Sequence, residues 1–269
     1  MTLAQALALG VIQGVTEFLP ISSSGHLALA EDWIPGLERP PMLFDVVVHL
    51  GTLAAVLWGF RLRIAALSRG AWSLVSPGRP APGLERDRRF IGLLAIACLP
   101  TAIVGAGLAP TVVMVRTHPE IVGLALLGTA GILLASMRAG RGSLGAHELS
   151  LFDALLVGIA QGFSVIPGIS RSGATIGVAL GRGASPDVAV EFSLLAAVPA
   201  IAGANLFVVL TRFEPDHAIA LAPLAAGFLA AFVAGLLALR VLRRVVAGRR
   251  FLPFAAYCVV LGLGAIAFG

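Results

Sequence analysis

Long apolar runs separated by short links that carry arginine dominate the chain. Six of them, at about 42–60, 90–113, 120–137, 188–210, 218–240 and 251–268, approach or exceed the length of a bilayer crossing, roughly 20 residues. Two further stretches differ. An apolar, helix-compatible run (3–19 and 151–166) meets a proline, Pro20 or Pro167, then a short Ser/Gly segment, then a second short run (25–34 and 172–181). Neither arm is long enough to span comfortably. Each unit therefore reads as a re-entrant helix pair, since irregular backbone at membrane depth survives only where it is packed in protein or lines a wet cavity. The plain alternative is one kinked span per unit. No alternating ten-residue pattern recurs, which argues against a membrane barrel. The pattern predicts an all-α polytopic membrane protein with about six spans and about ten helices.

The two broken units resemble each other. Residues 10–25 read GVIQGVTEFLPISSSG and residues 158–173 read GIAQGFSVIPGISRSG. Without a gap, Gly10 matches Gly158, Gln13 matches Gln161, Gly14 matches Gly162, Ser22 matches Ser170, Ser24 matches Ser172 and Gly25 matches Gly173. A match running through a polar Ser-Gly core points to an internal duplication, with residues 1–147 as the first repeat and 148–269 as the second. Three spans lie between the motifs, so the second motif is expected to be inverted relative to the first. The tips are then expected to meet near the midplane, where transporters of this layout place their sites.

Composition agrees. Of 269 residues, 58% are hydrophobic and 12% charged, half the share of a soluble domain at about 25%, and the mean hydropathy is +0.96. Net charge is +5, and all 19 basic residues are Arg. They sit between apolar runs rather than in a basic face, so nucleic acid is not an expected partner. With the re-entrant pairs returning to their own side, fifteen arginines share one side: Arg61, Arg63, Arg69, Arg79, Arg86, Arg88, Arg89, Arg138, Arg141, Arg182, Arg240, Arg243, Arg244, Arg249 and Arg250. Arg39, Arg116 and Arg212 fall on the other, and Arg171 stays inside. The rich side is expected to be cytoplasmic, with a long Arg-rich loop over 61–89 and the first motif opening outward. Cys98 and Cys258 lie in apolar runs and read as buried free thiols. No basic residue precedes Arg39 and Glu17 interrupts the first apolar run, so a cleaved signal is not expected, although Ala28-Leu29-Ala30 has the form of a cleavage site.

Ionisable groups at membrane depth are costly and usually functional. Gln13 and Glu17 share one helix face. Ser22, Ser23, Ser24, Gly25 and His26 bring hydroxyls, a turn and an imidazole to the first tip. Ser170, Arg171, Ser172, Gly173 and Thr175 bring hydroxyls and a guanidinium to the second. Arg beside Ser and Gly at a helix N-terminus suits a phosphate, and two opposed tips suit a diphosphate. Each group also has a plainer reading. Glu17 and Arg171 serve equally as a structural ion pair, the serines as N-caps, and His26 as a structural donor. Asp45, His49 and Glu191 default to helix packing or gating.

The segments QGVTEFLPISSSGHL (13–27) and PGISRSGATIG (167–177) are similar to the two signatures of the undecaprenyl-pyrophosphate phosphatase family, the bacitracin-resistance membrane proteins. EFSLLAAVP (191–199) and LPFAAY (252–257) extend the resemblance over essentially the whole chain. It implies hydrolysis of undecaprenyl diphosphate to the monophosphate, which recycles the lipid carrier for peptidoglycan synthesis in the bacterial plasma membrane. It also implies dependence on a divalent cation, Mg²⁺ or Ca²⁺. Gln13 stands where the family often has Glu, which removes one potential ligand and leaves Glu17. In this reading Arg171, Ser170, Ser172 and neighbouring backbone hold the phosphates. Gln13, Ser24, Gly25, Gly173 and Thr175 line the site. Glu17 is a base or metal ligand, His26 a general acid/base, and Ser23, with Ser22 behind it, the nucleophile unless water attacks directly. The expected partners are the isoprenoid lipid diphosphate and membrane lipids, and a homodimer stays open. A lipid-phosphate transporter would share the same layout.

Overall fold

The computed structural model describes residues 1–33, 40–75, 84–140, 142–212 and 220–269. Arg39, Arg79 and Arg141 of the topological count lie outside the described residues. Among those described, the chain is entirely α-helical apart from one isolated bridge between Leu144 and Ala184. The first half contains α1 (Leu3–Phe18), α2 (Ser23–Trp33), α3 (Met42–Gly59), α4 (Arg61–Val75), α5 (Leu84–Arg116) and α6 (Pro119–Arg138). The second contains α7 (Leu151–Phe163), α8 (Arg171–Gly181), α9 (Pro186–Arg212), α10 (Leu221–Ala247) and α11 (Leu252–Phe268). Eleven helices thus replace the expected ten or so.

Both broken units form helix–break–helix pairs, α1–α2 and α7–α8, at the expected places. Five helices are long and apolar enough to cross a membrane: α3, α5, α6, α9 and α10. The expected count of six is therefore too high by that measure. The last run makes a helix of only 17 residues, because Arg249, with φ +52°, ends the α10 segment and Pro253 fixes the first turn of α11. The Arg-rich stretch 61–89 is helical in its described residues, not a loop. Residues 61–75 are α4 and helix resumes at Leu84. Leu, Ala, Ile and Arg are all good helix formers, and the arginines there find partners. Arg63 bonds Glu191 of α9 at 2.6 Å and Asp87 of α5 at 2.5 Å, and Arg88 donates to Ser73 at 2.9 Å.

Small residues let the helices approach closely, as is usual in membranes. In α1, a Cβ on Gly10 would stand 2.5 Å from the Gly227 carbonyl of α10, and one on Gly14 would stand 2.6 Å from the Ala231 carbonyl. In α7, Gly158 presses on the Ala97 carbonyl and Pro100 of α5, and Gly162 would bring a Cβ to 2.6 Å from Val104 Cβ. Helices α6 and α11 cross at Gly123 and Gly262. A Cβ on Gly123 would lie 2.5 Å from the Gly262 carbonyl, and one on Gly262 would lie 2.8 Å from the Gly123 carbonyl. Phe18, Phe44, Phe90, Phe192 and Phe251 fill the interior. The outside carries Leu99, Ile103, Leu206, Leu210, Leu229 and Val260 in the open, a surface that suits hydrocarbon rather than water. Cys258 is buried and Cys98 half-buried, and both are free thiols.

One end of the bundle is rich in engaged arginines. Arg89 donates to the Leu149 carbonyl at 2.8 Å, Arg182 to Asp153 at 2.6 Å and Arg249 to the Ser136 carbonyl at 3.1 Å, while Arg243 lies over the Phe60 ring. At the other end Arg116 pairs with Glu31 and with Asp45 at 3.1 Å.

Candidate active site

The site forms where the two breaks meet. Helix α1 cannot continue through Pro20, which lacks an N–H and disfavours helical backbone before it. Leu19 turns extended, and Ser22 adopts the left-handed region at φ +70° before α2 begins at Ser23. Helix α7 ends at Phe163, and Gly168 takes φ +100° ahead of α8. Only glycine suits Gly168, because a Cβ there would also stand 2.5 Å from the Val122 carbonyl of α6.

The tips touch. Ser22 Oγ accepts from the Gly168 N–H at 3.1 Å, and Ser172 Oγ donates to the Leu19 carbonyl at 3.3 Å. The two copies also cap themselves alike. Ser22 accepts from the Gly25 N–H at 3.4 Å and Ser170 from the Gly173 N–H at 3.1 Å. The hydroxyls of Ser22 and Ser24 stand 3.4 Å apart, and those of Ser170 and Ser172 stand 3.3 Å apart. Helix α6 clamps the second tip: Thr129 Oγ1 donates to the Gly168 carbonyl at 2.7 Å and accepts from the Ser170 N–H at 2.9 Å.

Glu17 is the hub. One carboxylate oxygen pairs with Arg171 Nη2. The other accepts from Gln13 Nε2 at 2.9 Å and from Ser23 Oγ at 2.5 Å. The carboxylate is nearly sealed, at 5% side-chain exposure against 17% for Arg171. Burying such a charge is costly, and three donors with one cation offset the loss of water. Among the described residues, Arg171 Nε and Nη1 have no protein partner, so part of its planar donor fork stays open to an anion.

Not every expected residue faces this hub. Thr175 is fully buried; its hydroxyl donates to the Arg171 carbonyl at 2.7 Å and meets Ser193 Oγ of α9 at 2.5 Å. It ties the first turn of α8 to α9 rather than facing the hub. His26 hydrogen-bonds neither Glu17 nor Ser23: Nδ1 meets the Ser22 carbonyl at 2.7 Å and Nε2 the Tyr257 hydroxyl at 2.8 Å. His49, on α3, turns aside as well: its Nδ1 donates to the Asp45 carbonyl at 2.7 Å. Asp45 and Glu191 are held in ion pairs with Arg116 and Arg63. Sequence reasoning missed Thr129, Ser193 and Tyr257. The first was readable as a hydroxyl in the middle of an apolar span; the other two lie inside the segments 191–199 and 252–257 with nothing local to mark them.

A resident cation finds a poor set of ligands. No three His, Cys, Asp or Glu side chains cluster among the described residues. Both Glu17 oxygens already accept from protein donors. Gln13 Oε1, buried without a partner among the described residues, is the one spare oxygen beside it.

Residues 6–264 match the family model described as bacitracin resistance protein BacA. A protein of Syntrophotalea carbinolica named undecaprenyl-diphosphatase is 40% identical over 262 residues, covering 97% of each chain. One of the same name from Desulfosudis oleivorans is 41% identical over 263 residues, covering 96% of this chain and 95% of its own. Another, from Korarchaeum cryptofilum, is 38% identical over 265 residues, covering 98% of both. With its length matched almost throughout and both broken-helix tips in place, the chain belongs to the BacA bacitracin resistance family.

Proposed function

We propose that the chain hydrolyses undecaprenyl diphosphate to undecaprenyl phosphate and inorganic phosphate, returning the lipid carrier to peptidoglycan synthesis. The observation that carries this reading is the Ser23–Glu17–Arg171 constellation, a hydroxyl and a guanidinium on one buried carboxylate. Its test is phosphate release from a C55 lipid diphosphate by the purified protein in detergent.

The chemistry follows from the hydrogen bonds. The open Arg171 donors and the N-termini of α2 and α8 hold the phosphate oxygens, and this charge stabilisation is the largest catalytic term in phosphoryl transfer. Ser170, Ser172, Ser24 and the Gly25 and Gly173 backbones line the cradle, and Gln13 orients Glu17. Ser23 Oγ gives its proton to Glu17 and attacks the terminal phosphorus. The bond to the bridging oxygen breaks, and undecaprenyl phosphate leaves with the electron pair and takes the proton from Glu17. Glu17 then draws a proton from water, which attacks the phosphoserine; Ser23 Oγ leaves and recovers that proton as phosphate departs. Ser22 is a poorer nucleophile because its oxygen already accepts from Gly168 and Gly25. His26 acts from the flank as acid/base. The divalent ion implied by the family would find only the engaged Glu17 carboxylate and the spare Gln13 Oε1, a poor cage for a resident Mg²⁺ or Ca²⁺.

The reading extends to topology. We place the two halves as inverted repeats in the plasma membrane, with the Arg-rich end cytoplasmic and the first tip opening to the outer side. Three features support this. Equivalent glycines, Gly10/Gly14 and Gly158/Gly162, press on α10 and α5 respectively. The serine caps repeat across the copies, and the α6–α11 crossing is reciprocal. A transporter would use the same Arg171 clamp but has no need of a hydroxyl donating to a buried carboxylate.

A further inference from the structure

We infer that Tyr257 is a positioning residue for the hydrolysis, anchoring Nε2 of the His26 imidazole at the edge of an apolar groove. The inference rests on the diphosphatase reading above. His26 lies in the first turn of α2 and Tyr257 in α11, from the far end of the sequence. Their rings stack with centroids 5.6 Å apart and planes within 8° of parallel. The Tyr257 hydroxyl meets His26 Nε2 at 2.8 Å, and His26 Nδ1 meets the Ser22 carbonyl at 2.7 Å. A carbonyl can only accept, so Nδ1 carries the proton and Nε2 accepts from the phenol. The chain of bonds runs from α11, through the imidazole, to Ser22, the residue held at φ +70° whose hydroxyl binds the second tip.

The surroundings give this bond its weight. The pair stands on the wall of a cavity of about 560 Å³ between α1, α2 and α11, otherwise formed by side chains such as Val11, Val15, Leu29 and Leu261. Thr16 also lines it, but its hydroxyl is spent on the Ile12 carbonyl at 2.6 Å. In so apolar a setting an imidazole nitrogen left without a partner is costly. The Ser22 carbonyl keeps the proton on Nδ1, and without the phenol Nε2 loses its partner and the ring its second anchor. With it, Nε2 stays an anchored acceptor at the wall of the groove. The phenol never reacts; it acts through His26.

The chain has a single tyrosine, so the pair can be watched directly. Tyr257→Phe keeps the ring stack and removes the hydroxyl. In phosphate release from a C55 lipid diphosphate, kcat is expected to fall about tenfold with KM within about twofold, the scale of a modest acid/base contribution. His26→Ala is expected to lose at least as much, and the double variant no more than His26→Ala alone, because the two act as a unit. Losses that multiply in the double variant, or a Tyr257→Phe effect confined to KM or to thermal stability, overturn the inference. Incorporation of 3-fluorotyrosine gives one ¹⁹F resonance, which is expected to move in His26→Ala; a stationary resonance also overturns it. That signal needs no turnover. Absence of phosphate release by the unaltered protein strikes the diphosphatase reading, while the resonance still reports on the pair.

Discussion

Ser23 and Arg171 occupy the same position in the two sequence copies, and both bond the single carboxylate of Glu17. The counterpart of Glu17 in the second copy is Val165. One copy therefore supplies the acid and the hydroxyl, and the other supplies the cation. The two segments match in sequence, whereas the chemistry is divided between them.

Glu17→Gln keeps shape and hydrogen bonding but removes charge and basicity. Turnover is expected to fall by roughly 10²-fold or more. Arg171 is then left with a neutral partner, and breaking a buried pair costs about 3–5 kcal/mol at full burial. The residual 17% exposure of Arg171 puts the loss below that range. Phosphate release and thermal unfolding on the same samples separate the two effects. Turnover within a fewfold of normal removes Glu17 as the base.

Arg171→Lys retains the charge and loses the planar fork. Lysine has one compact ammonium to serve both Glu17 and the phosphate. Strong loss of turnover with a nearly unchanged melting temperature is expected. Activity close to normal means that a point charge suffices and that the open guanidinium donors do not bind phosphate.

The serines separate by their partners. Ser23→Ala is expected to nearly abolish phosphate release if its hydroxyl attacks, while sparing the fold. Ser22→Ala loses the bond to the Gly168 N–H and the cap on Gly25, so its main effect is on stability, roughly 1–3 kcal/mol. A trapped ³²P-labelled phosphoserine on rapid quench identifies the nucleophile; substantial turnover by Ser23→Ala assigns the attack to water.

Thr129→Val is close in volume and deletes the clamp on the second tip. Both the Gly168 carbonyl and the Ser170 N–H lose a partner in a buried place. A loss of roughly 1–3 kcal/mol and a fall in turnover are expected, although Thr129 touches neither Glu17 nor Arg171. Unchanged activity in a destabilised variant shows that α6 supports the fold alone.

Topology is tested at exposed positions on the two ends. In a background lacking Cys98 and Cys258, cysteines at Arg86 and Thr117 are expected to label from opposite faces of intact cells. Labelling of both from outside contradicts the inverted arrangement.

Much of this was legible in the sequence because its signals are local. Proline after an apolar run, serine before a helix and glycine at a crossing leave one-dimensional marks, and they placed α1–α2 and α7–α8 closely. Glu17 and Arg171 stood out because charge inside an apolar run is expensive. What the sequence left open depends on contacts made far away. Whether His26 faces Glu17 or turns aside is decided by Tyr257, on the last helix. Residues 61–75 passed for a loop because their arginines broke the apolar pattern, yet Glu191 and Asp87 take up Arg63 from other helices. Residues 251–268 yield a helix of 17 residues, at the short end of a bilayer crossing, because composition does not reveal where the first turn starts.

The reciprocal crossing of Gly123 and Gly262 has a consequence for ancestry. Contacts exchanged in this way are the mark of a two-fold interface, in which each partner offers the other the same surface. In an assembly of two identical copies, any acid opposite an arginine would be matched by a second acid and a second arginine. A single polypeptide is free of that restriction: position 23 is serine while position 171, its match, is arginine. On the inverted-repeat reading proposed above, the protein is a pseudo-homodimer whose halves have become unequal, alike at their glycines and different at the reactive centre.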